Sequence, residues 1–200
     1  MKTLTMGTTN SAKVAQLAGC LAPIGIQVVG VEDKSLLPYV EEDGATVLEN
    51  ARKKAVVYSK ALGQRVISMD NSLFIEGLSD ERQPGMHVRR INGKDASTDD
   101  ELLAHGQELI ASLGERGNAY WEYGVCIADP DGKSWDTVLR TPRIFTSIAS
   151  SQRMPGYPLE SIQIDPESGK YISEMSEEEK AHFWQKTIGS DVIKLVQSIE

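Results

Sequence analysis

The sequence predicts an α/β fold in which an elongated mixed β-sheet is flanked by helices. Two observations lead to this prediction. In the first half of the chain, short apolar runs alternate with stretches whose apolar residues recur at helical spacing. Further on, two long strand-like runs are joined by a tight turn. Alternating strands and helices are typical of parallel pairs, and a tight turn joins antiparallel ones, so the sheet is predicted to be mixed.

The first half supplies three strands and two helices. Residues 2–6 are predicted to form the first strand, and the polar residues 7–10 provide turn and cap chemistry before the first helix. The second helix shows a clear apolar stripe, and Gly63 is placed to end it. The second strand is predicted at residues 26–31 and the second helix at residues 46–62. The third strand begins at Val66.

The second half begins with a long polar stretch, residues 79–100, which is predicted to be an irregular or functional loop. A helix ends before Gly114. Residues 119–128 and 135–148 are predicted to form a hairpin across Asp129-Pro130-Asp131-Gly132, because proline presets one φ angle and glycine accepts a positive one. After the hairpin we expect a loop at residues 150–158 and a short strand at residues 161–164. A closing helix begins at Glu177 or Phe183 and runs to residue 199.

Composition sets the class of protein and excludes several kinds of partner. With 200 residues, 40% hydrophobic and 25% charged, the chain is in the globular range, and we expect one domain over residues 1–200 with two lobes. A formal net charge of -8 argues against a surface that coats nucleic acid or anionic lipid, so an anionic ligand has to be bound locally.

Cysteine spacing and hydropathy indicate a reducing, aqueous compartment. Cys20 and Cys126 match neither a metal motif nor a disulfide framework, so we expect two buried thiols. The first residues carry too little apolar content for a signal peptide, and nowhere do about 18 apolar residues run together. The sequence therefore predicts a cytoplasmic protein with no membrane partner.

The stretch VISMDNSLFIEG, residues 66–77, places Asp70 between two apolar runs. A carboxylate buried without a partner costs several kcal/mol or shifts its pKa. Asp70 therefore either caps a turn at the sheet edge or holds a positively charged group.

Two further segments could meet an anion and its metal. Thr8 to Lys13, TTNSAK, combines hydroxyls, an amide and a lysine at a predicted helix start, which favours a phosphate, although a plain helix cap with a solvated lysine explains the same residues. Glu41, Glu42 and Asp43 precede the second helix, either as surface charge or because Glu42 joins Asp70 in holding Mg²⁺.

The order of these motifs resembles the inosine triphosphate pyrophosphatase family, the non-canonical purine nucleoside triphosphate pyrophosphatases, over nearly the whole chain. T-x-N-x-x-K follows the first strand, and E-E-x-G-x-T-x-x-E-N-A-x-x-K-A opens the second helix. Asp70, A-D-P-D-G and G-K-x-x-x-E-M-S-x-E-E-K then follow in that order. The resemblance implies a homodimer whose two lobes enclose an active-site cleft, and Mg²⁺-dependent hydrolysis of a nucleoside triphosphate to monophosphate and pyrophosphate.

The resemblance also assigns roles to individual residues. It implies that Asp70, Lys13 and Lys54 are catalytic, with Asp70 as base or metal ligand, and that Glu42 and Asp70 hold the metal. Residues that match or adjoin the family's substrate-binding stretches are Thr8, Thr9, Asn10, Lys13, Asn71, Arg90, Tyr157, Glu160, Lys170, Gln185 and Lys186.

The end of the site that binds the base departs from the family pattern. Met69 stands where the family has its first aspartate, Pro155-Gly156-Tyr157-Pro158 replaces F-G-Y-D, and Trp184-Gln185-Lys186 replaces S-H-R. On an extended strand Glu160 would share a face with Pro158 and could replace the lost acid, and Trp184 could replace the lost aromatic.

These departures leave three hypotheses open. The chain is a pyrophosphatase of non-canonical or modified nucleotides, a pyrophosphatase whose substrate has shifted away from inosine and xanthosine triphosphate, or a nucleotide-binding protein with impaired catalysis. Retention of Asp70, Glu42 and Lys13 together favours activity.

Overall fold

A computed structural model describes residues 2–91, 93–94 and 97–199 of the chain. The described residues form one six-stranded sheet, whose strands are β1 (Lys2–Met6), β2 (Ile26–Gly30), β3 (Val66–Ile75), β4 (Arg116–Ala128), β5 (Ser134–Thr146) and β6 (Gln163–Ile164). The strand order is β2-β1-β3-β4-β5-β6. Because β1 is parallel to β2 and β3 while β5 is antiparallel to β6, the predicted mixed sheet is confirmed.

The helices agree closely with the pattern of the sequence. They are α1 (Ser11–Leu21), α2 (Val47–Leu62), α3 (Asp99–Ala111), α4 (Glu177–Trp184) and α5 (Ser190–Gln197). A π-helical stretch, Gln185–Gly189, joins α4 to α5, so the predicted closing helix is one continuous run that begins at Glu177. None of the helices within the described ranges is long and apolar enough to cross a bilayer.

The ends of α2 show why its bounds could be predicted. The Thr46 side chain accepts a hydrogen bond from the Glu49 N–H at 3.2 Å, which satisfies one of the free donors of the first turn. At the other end Gly63 takes the left-handed conformation, φ 63°, that stops a helix. Both signals are local in sequence.

The chain divides into two compact units. The first unit contains Met1–Asn71, Tyr123–Leu139 and Ala181–Glu200, and the second contains Ser72–Glu122 and Arg140–Lys180. The division falls inside the strands β3, β4 and β5.

In the first unit, small side chains let a helix lie close to the sheet. Ala51 and Ala55 of α2 form a buried cluster with Cys126 and Ala128 of β4. Elsewhere in this unit, α1 packs against β2 and against α5. Both cysteines are free and fully buried, as predicted, and loss of hydration raises the pKa of each thiol to about 12.

The second unit has its own core of larger side chains. Leu73, Ile75, Ile110, Phe145 and Ile162 are among its buried members. Helix α3 lies against the 3₁₀ helix Pro158–Ser161. Where the structure describes it, the predicted polar loop is irregular apart from the 3₁₀ turn Asp80–Arg82, a single bridge between Gly85 and Leu73, and its last two residues, which begin α3.

Gly124 of β4 marks the closest approach of strand and helix in the first unit. A Cβ atom at Gly124 would lie 2.5 Å from the backbone N of Leu48 and 2.6 Å from its Cα. We expect Gly124→Ala to lower the free energy of unfolding by about 1–3 kcal/mol, because helix backbone has to move.

Gly117, on the same strand, is the matched control for urea denaturation of the two variants. A Cβ there would meet only side-chain atoms, the nearest being Ile110 Cδ1 at 3.4 Å, so Gly117→Ala should be nearly neutral. Equal stability of the two variants would contradict the role given to Gly124.

Candidate active site

Four predicted residues of the first unit converge on one charged cluster. Lys54 Nζ donates to Glu42 Oε2 at 2.9 Å and lies 3.2 Å from Asp70 Oδ1. Lys54 and Asp70 are each only 7% exposed. The question raised by Asp70 is therefore answered in part, because its carboxylate faces the Lys54 ammonium and does not cap a surface turn.

Asn50 links this cluster to the loop before α2. It lies one helical turn before Lys54, so the two side chains share a face. Its Nδ2 donates to Asp70 Oδ2 at 3.1 Å, and its Oδ1 accepts from the Gly44 N–H at 2.8 Å. Asn50 is the asparagine of the E-N-A sequence that opens the second helix, and no role was predicted for it. Its position four residues before Lys54 was the signal that could have indicated a shared site.

Lys13 reaches the same cluster from α1. Its Nζ lies 3.5 Å from the carbonyl oxygen of Met69, as does Lys54 Nζ. Loss of hydration and repulsion from Lys54 lower the pKa of Lys13 to about 8, while Asp70 and Glu42 act in the opposite direction. The Met69 side chain is buried, and this position presents its backbone carbonyl to the two lysines.

The Thr8 to Lys13 loop contains the cap that the plainer interpretation required. Asn10 Oδ1 accepts from the Ala12 N–H at 2.9 Å, and Thr8 Oγ1 accepts from the Asn10 N–H at 3.1 Å. The Lys34 ammonium donates to the Thr9 carbonyl at 3.0 Å. Capping and anion binding are compatible, since the cap uses side-chain acceptors and leaves Lys13 directed to the cluster. The role of this loop as a phosphate site stays a prediction.

In the second unit Glu160 is buried, with 3% of its surface exposed. Its Oε2 has no hydrogen-bond partner among the described residues. Burial raises the pKa of Glu160 to about 7, although Lys180 and Arg143 lower it in part and Glu177 raises it.

The local structure around Glu160 differs from the expectation. Pro158–Ser161 is a 3₁₀ helix, and the Glu160 N–H donates to the Tyr157 carbonyl at 3.1 Å. The extended strand that would have placed residues 158 and 160 on one face is therefore wrong, because this i to i+3 bond curls the chain.

Of the other predicted residues of the second unit, Tyr157 is partly buried, and Lys170 and Arg90 lie on the surface. Lys170 is exposed and pairs with Glu179 at 2.5 Å. Arg90 is exposed, with Nη1 3.4 Å from His87 Nε2. The neighbouring Arg89, which the motif does not include, makes side-chain hydrogen bonds that join separate segments of this unit.

The remaining predicted residues belong to the first unit. Gln185 and Lys186 begin the π-helical stretch. The Gln185 side chain is partly buried against Gly189, where an added Cβ atom would lie 2.7 Å from Gln185 Oε1. Asn71 is partly buried beside Asp70 on β3. The structure therefore brings together Lys13, Glu42, Lys54 and Asp70, with Asn50 as an unpredicted member.

Comparison with known proteins gives consistent matches over nearly the whole chain. Residues 4–188 match the model of the Ham1 family. A dITP/XTP pyrophosphatase of Nitratidesulfovibrio vulgaris is 28% identical over 193 residues, covering 89% of this chain and 87% of the relative. A dITP/XTP pyrophosphatase of Thermus thermophilus is 32% identical over 187 residues, covering 89% and 83%.

Solved structures show the same fold. The Ham1 protein of Staphylococcus aureus aligns with a TM-score of 0.70 at 23% identity, over 99% of this chain and 97% of that one. A HAM1 protein of Coxiella burnetii aligns with a TM-score of 0.72 at 18% identity, over 99% and 100%.

The buried Glu160 makes stability depend on pH. Its folded-state pKa of about 7 lies above the ordinary value of 4.5, so the folded chain holds the proton more tightly, and stability present at low pH is lost as pH rises through 7. Since glutamine does not ionise, the stability of Glu160→Gln relative to wild type should increase by about 2 kcal/mol between pH 5 and pH 8.

Urea denaturation at both pH values measures this difference. The exposed Glu178, at the start of α4 in the same unit, provides the control Glu178→Gln, which should show no comparable gain. A gap between Glu160→Gln and wild type that does not change with pH would show that Glu160 does not titrate in this range.

Proposed function

From the premise that this chain belongs to the Ham1 family, we propose that it hydrolyses a nucleoside triphosphate to the monophosphate and pyrophosphate. The family resemblance expected from the motifs is confirmed by the match over residues 4–188. The relatives named dITP/XTP pyrophosphatase support this reaction. The observation in this chain that carries the proposal is the cluster of two lysines and two carboxylates in the first unit.

Asp70 is the proposed base. Attack on the α-phosphorus requires a water that loses a proton, and a carboxylate held in one orientation is suited to accept it. Asn50 and Lys54 hold the two oxygens of Asp70 by separate contacts, which fixes its orientation. The P–O bond to the pyrophosphate breaks as the new one forms.

Lys13 and Lys54 are the proposed charge stabilisers. Hydrolysis between the α- and β-phosphates leaves additional negative charge on pyrophosphate, and ammonium groups that are already in place stabilise it without reorganisation. Both Nζ atoms lie 3.5 Å from the same Met69 carbonyl, so the two charges are directed to one region of the first unit.

Glu42 and Asp70 are the proposed ligands of Mg²⁺. The two carboxylates contact a single ammonium in the structure, which therefore stands where a cation is attracted by both. No group of three acidic, histidine or cysteine side chains suited to a metal occurs in the described ranges. The proposal rests on two carboxylates, since Mg²⁺ uses one or two and completes its shell with water and substrate phosphates. Bound there, the ion would neutralise phosphate charge as a Lewis acid.

The base of the substrate is proposed to be non-canonical or modified. Tyr157, Gln185 and Lys186 occupy sequence positions that correspond to the base-binding stretches of the family, and Tyr157 is proposed to contact the base. Pro158 in place of the lost aspartate, and Gln-Lys in place of His-Arg, change the hydrogen-bond donors and acceptors offered to a purine. A shift away from inosine and xanthosine triphosphate is consistent with these changes. A homodimer is proposed from the resemblance.

Asp70→Asn is expected to lower the rate by about 10²–10⁴-fold, since it removes the proposed base without changing the size of the side chain. Pyrophosphate release is measured with Mg²⁺ and a panel of standard, deaminated and modified triphosphates. Asp131→Asn, in the exposed hairpin turn of the same unit, is the control. No release from any triphosphate by the wild type, with nucleotide binding retained, would instead support the hypothesis of a binding protein.

Glu42→Gln is expected to raise the Mg²⁺ concentration for half-maximal activity by about tenfold or more, because one of two anionic ligands becomes neutral. The neighbouring exposed acid provides a matched control, Glu41→Gln, which should leave the Mg²⁺ dependence unchanged. The same Mg²⁺ dependence in Glu42→Gln and wild type would exclude Glu42 as a ligand.

A further inference from the structure

A tight turn precedes the 3₁₀ helix that carries Glu160. The Tyr157 N–H donates to the Met154 carbonyl at 3.0 Å, and Gly156 adopts φ 83°. Proline followed by a glycine of positive φ is the chemistry of a type II turn. The direction in which Tyr157 leaves this turn is therefore set by the Gly156 peptide.

Two side chains from elsewhere in the second unit hold both polar backbone atoms of Gly156. Its N–H donates to Asp99 Oδ2 at 2.8 Å, and its carbonyl accepts from Arg89 Nη2 at 2.9 Å. Arg89 Nη2 also lies 2.9 Å from Asp99 Oδ1, and Arg89 Nη1 donates to the Ser97 carbonyl at 3.2 Å. This arrangement of Arg89, Asp99 and Gly156 is called the Gly156 clamp below.

The clamp contributes more to geometry than to stability. The side chains of Arg89 and Asp99 are 40% and 41% exposed, and an ion pair at that exposure contributes little to stability. The planar guanidinium nevertheless fixes the directions of its N–H groups, which a lysine cannot reproduce. Partial burial raises the pKa of Asp99. The hydrogen bonds from Gly156 and Arg89 together lower this pKa by more than burial raises it, so the net pKa is below the usual range.

We infer that Arg89 and Asp99 are positioning residues that set the preference for the base by fixing the turn that presents Tyr157. This inference rests on the proposed function, in which Tyr157 contacts the base. It assigns the specificity role to Arg89, whereas the sequence motif selected Arg90. Neither clamp residue takes part in the chemical step, so their loss should affect discrimination between bases.

The test compares two triphosphates from the panel, the one with the highest kcat/KM and the poorest one that is still hydrolysed. For Arg89→Ala and Arg89→Lys we expect kcat/KM on the best substrate to fall about 10- to 100-fold, mainly through KM, because a displaced turn misplaces the base. The poorest substrate should change less than about twofold, since it gains little from the base contacts. Arg82→Lys is the control, because the exposed Arg82 side chain donates to the Ser112 hydroxyl, away from the clamp residues in sequence.

Equal losses on both substrates, or a lower melting temperature with an unchanged preference ratio, would overturn the inference. A double-mutant cycle adds a readout that a purely structural role would not move. If Arg89 acts through the turn, Arg89→Ala should lower kcat/KM on the best substrate little further once Tyr157→Ala is present. Additive losses of kcat/KM in the double variant would contradict this.

The proposed pyrophosphatase activity can fail independently of the inference about the clamp, and it does so if the wild type hydrolyses no triphosphate. The cycle is then measured on the Kd of the nucleotides by equilibrium dialysis. Non-additive losses of affinity support the clamp, whereas additive losses or the absence of nucleotide binding overturn it.

Discussion

The buried pair of Lys54 and Asp70 is the constraint on which the first unit depends. An ammonium or a carboxylate this deeply buried costs several kcal/mol unless the other is present and correctly placed. The pair therefore fixes how α2 lies on β3, since a slide of one helical turn would separate the charges. Asn50 and Glu42 extend the constraint to the loop before α2, because each bonds a member of the pair. The close contact at Gly124 allows the helix to lie near enough to the sheet.

The same arrangement makes the site stable before a ligand arrives. Two ammonium groups and two carboxylates balance one another, so the cluster carries no net charge when all four are ionised. A triphosphate with a divalent cation would bring opposite charges of its own, and each half of the cluster could exchange its internal partner for one from the ligand. Such an exchange lets a buried polar site bind a highly charged molecule without leaving a charge unpaired.

Most of the fold, and the importance of Asp70 within β3, could be predicted because their signals are local. Thr46 and Gly63 mark the ends of α2 within the helix itself, and a carboxylate inside a buried strand is visible at Asp70 without any tertiary information. The choice between Arg89 and Arg90 could not be made in this way. The two are adjacent and identical, and they differ only in their contacts, one of which, between Arg89 and Gly156, joins distant parts of the sequence.

Glu160 and the division into units show two further limits of the sequence. Proline at 158 fits both an extended segment and the start of a 3₁₀ helix, and the bond from Glu160 to Tyr157 decides between them. The division between the units falls inside the strands β3, β4 and β5, so no loop or linker in the sequence marks it.

The π-helical stretch between α4 and α5 has an evolutionary consequence. A π turn holds one residue more than an α turn, so removing a residue from Gln185–Gly189 would restore a regular helix. The buried face of α5, with Val192, Leu195 and Val196, could then keep its place in the core. The fold can therefore absorb the removal of one residue at this position while both flanking helices keep their places.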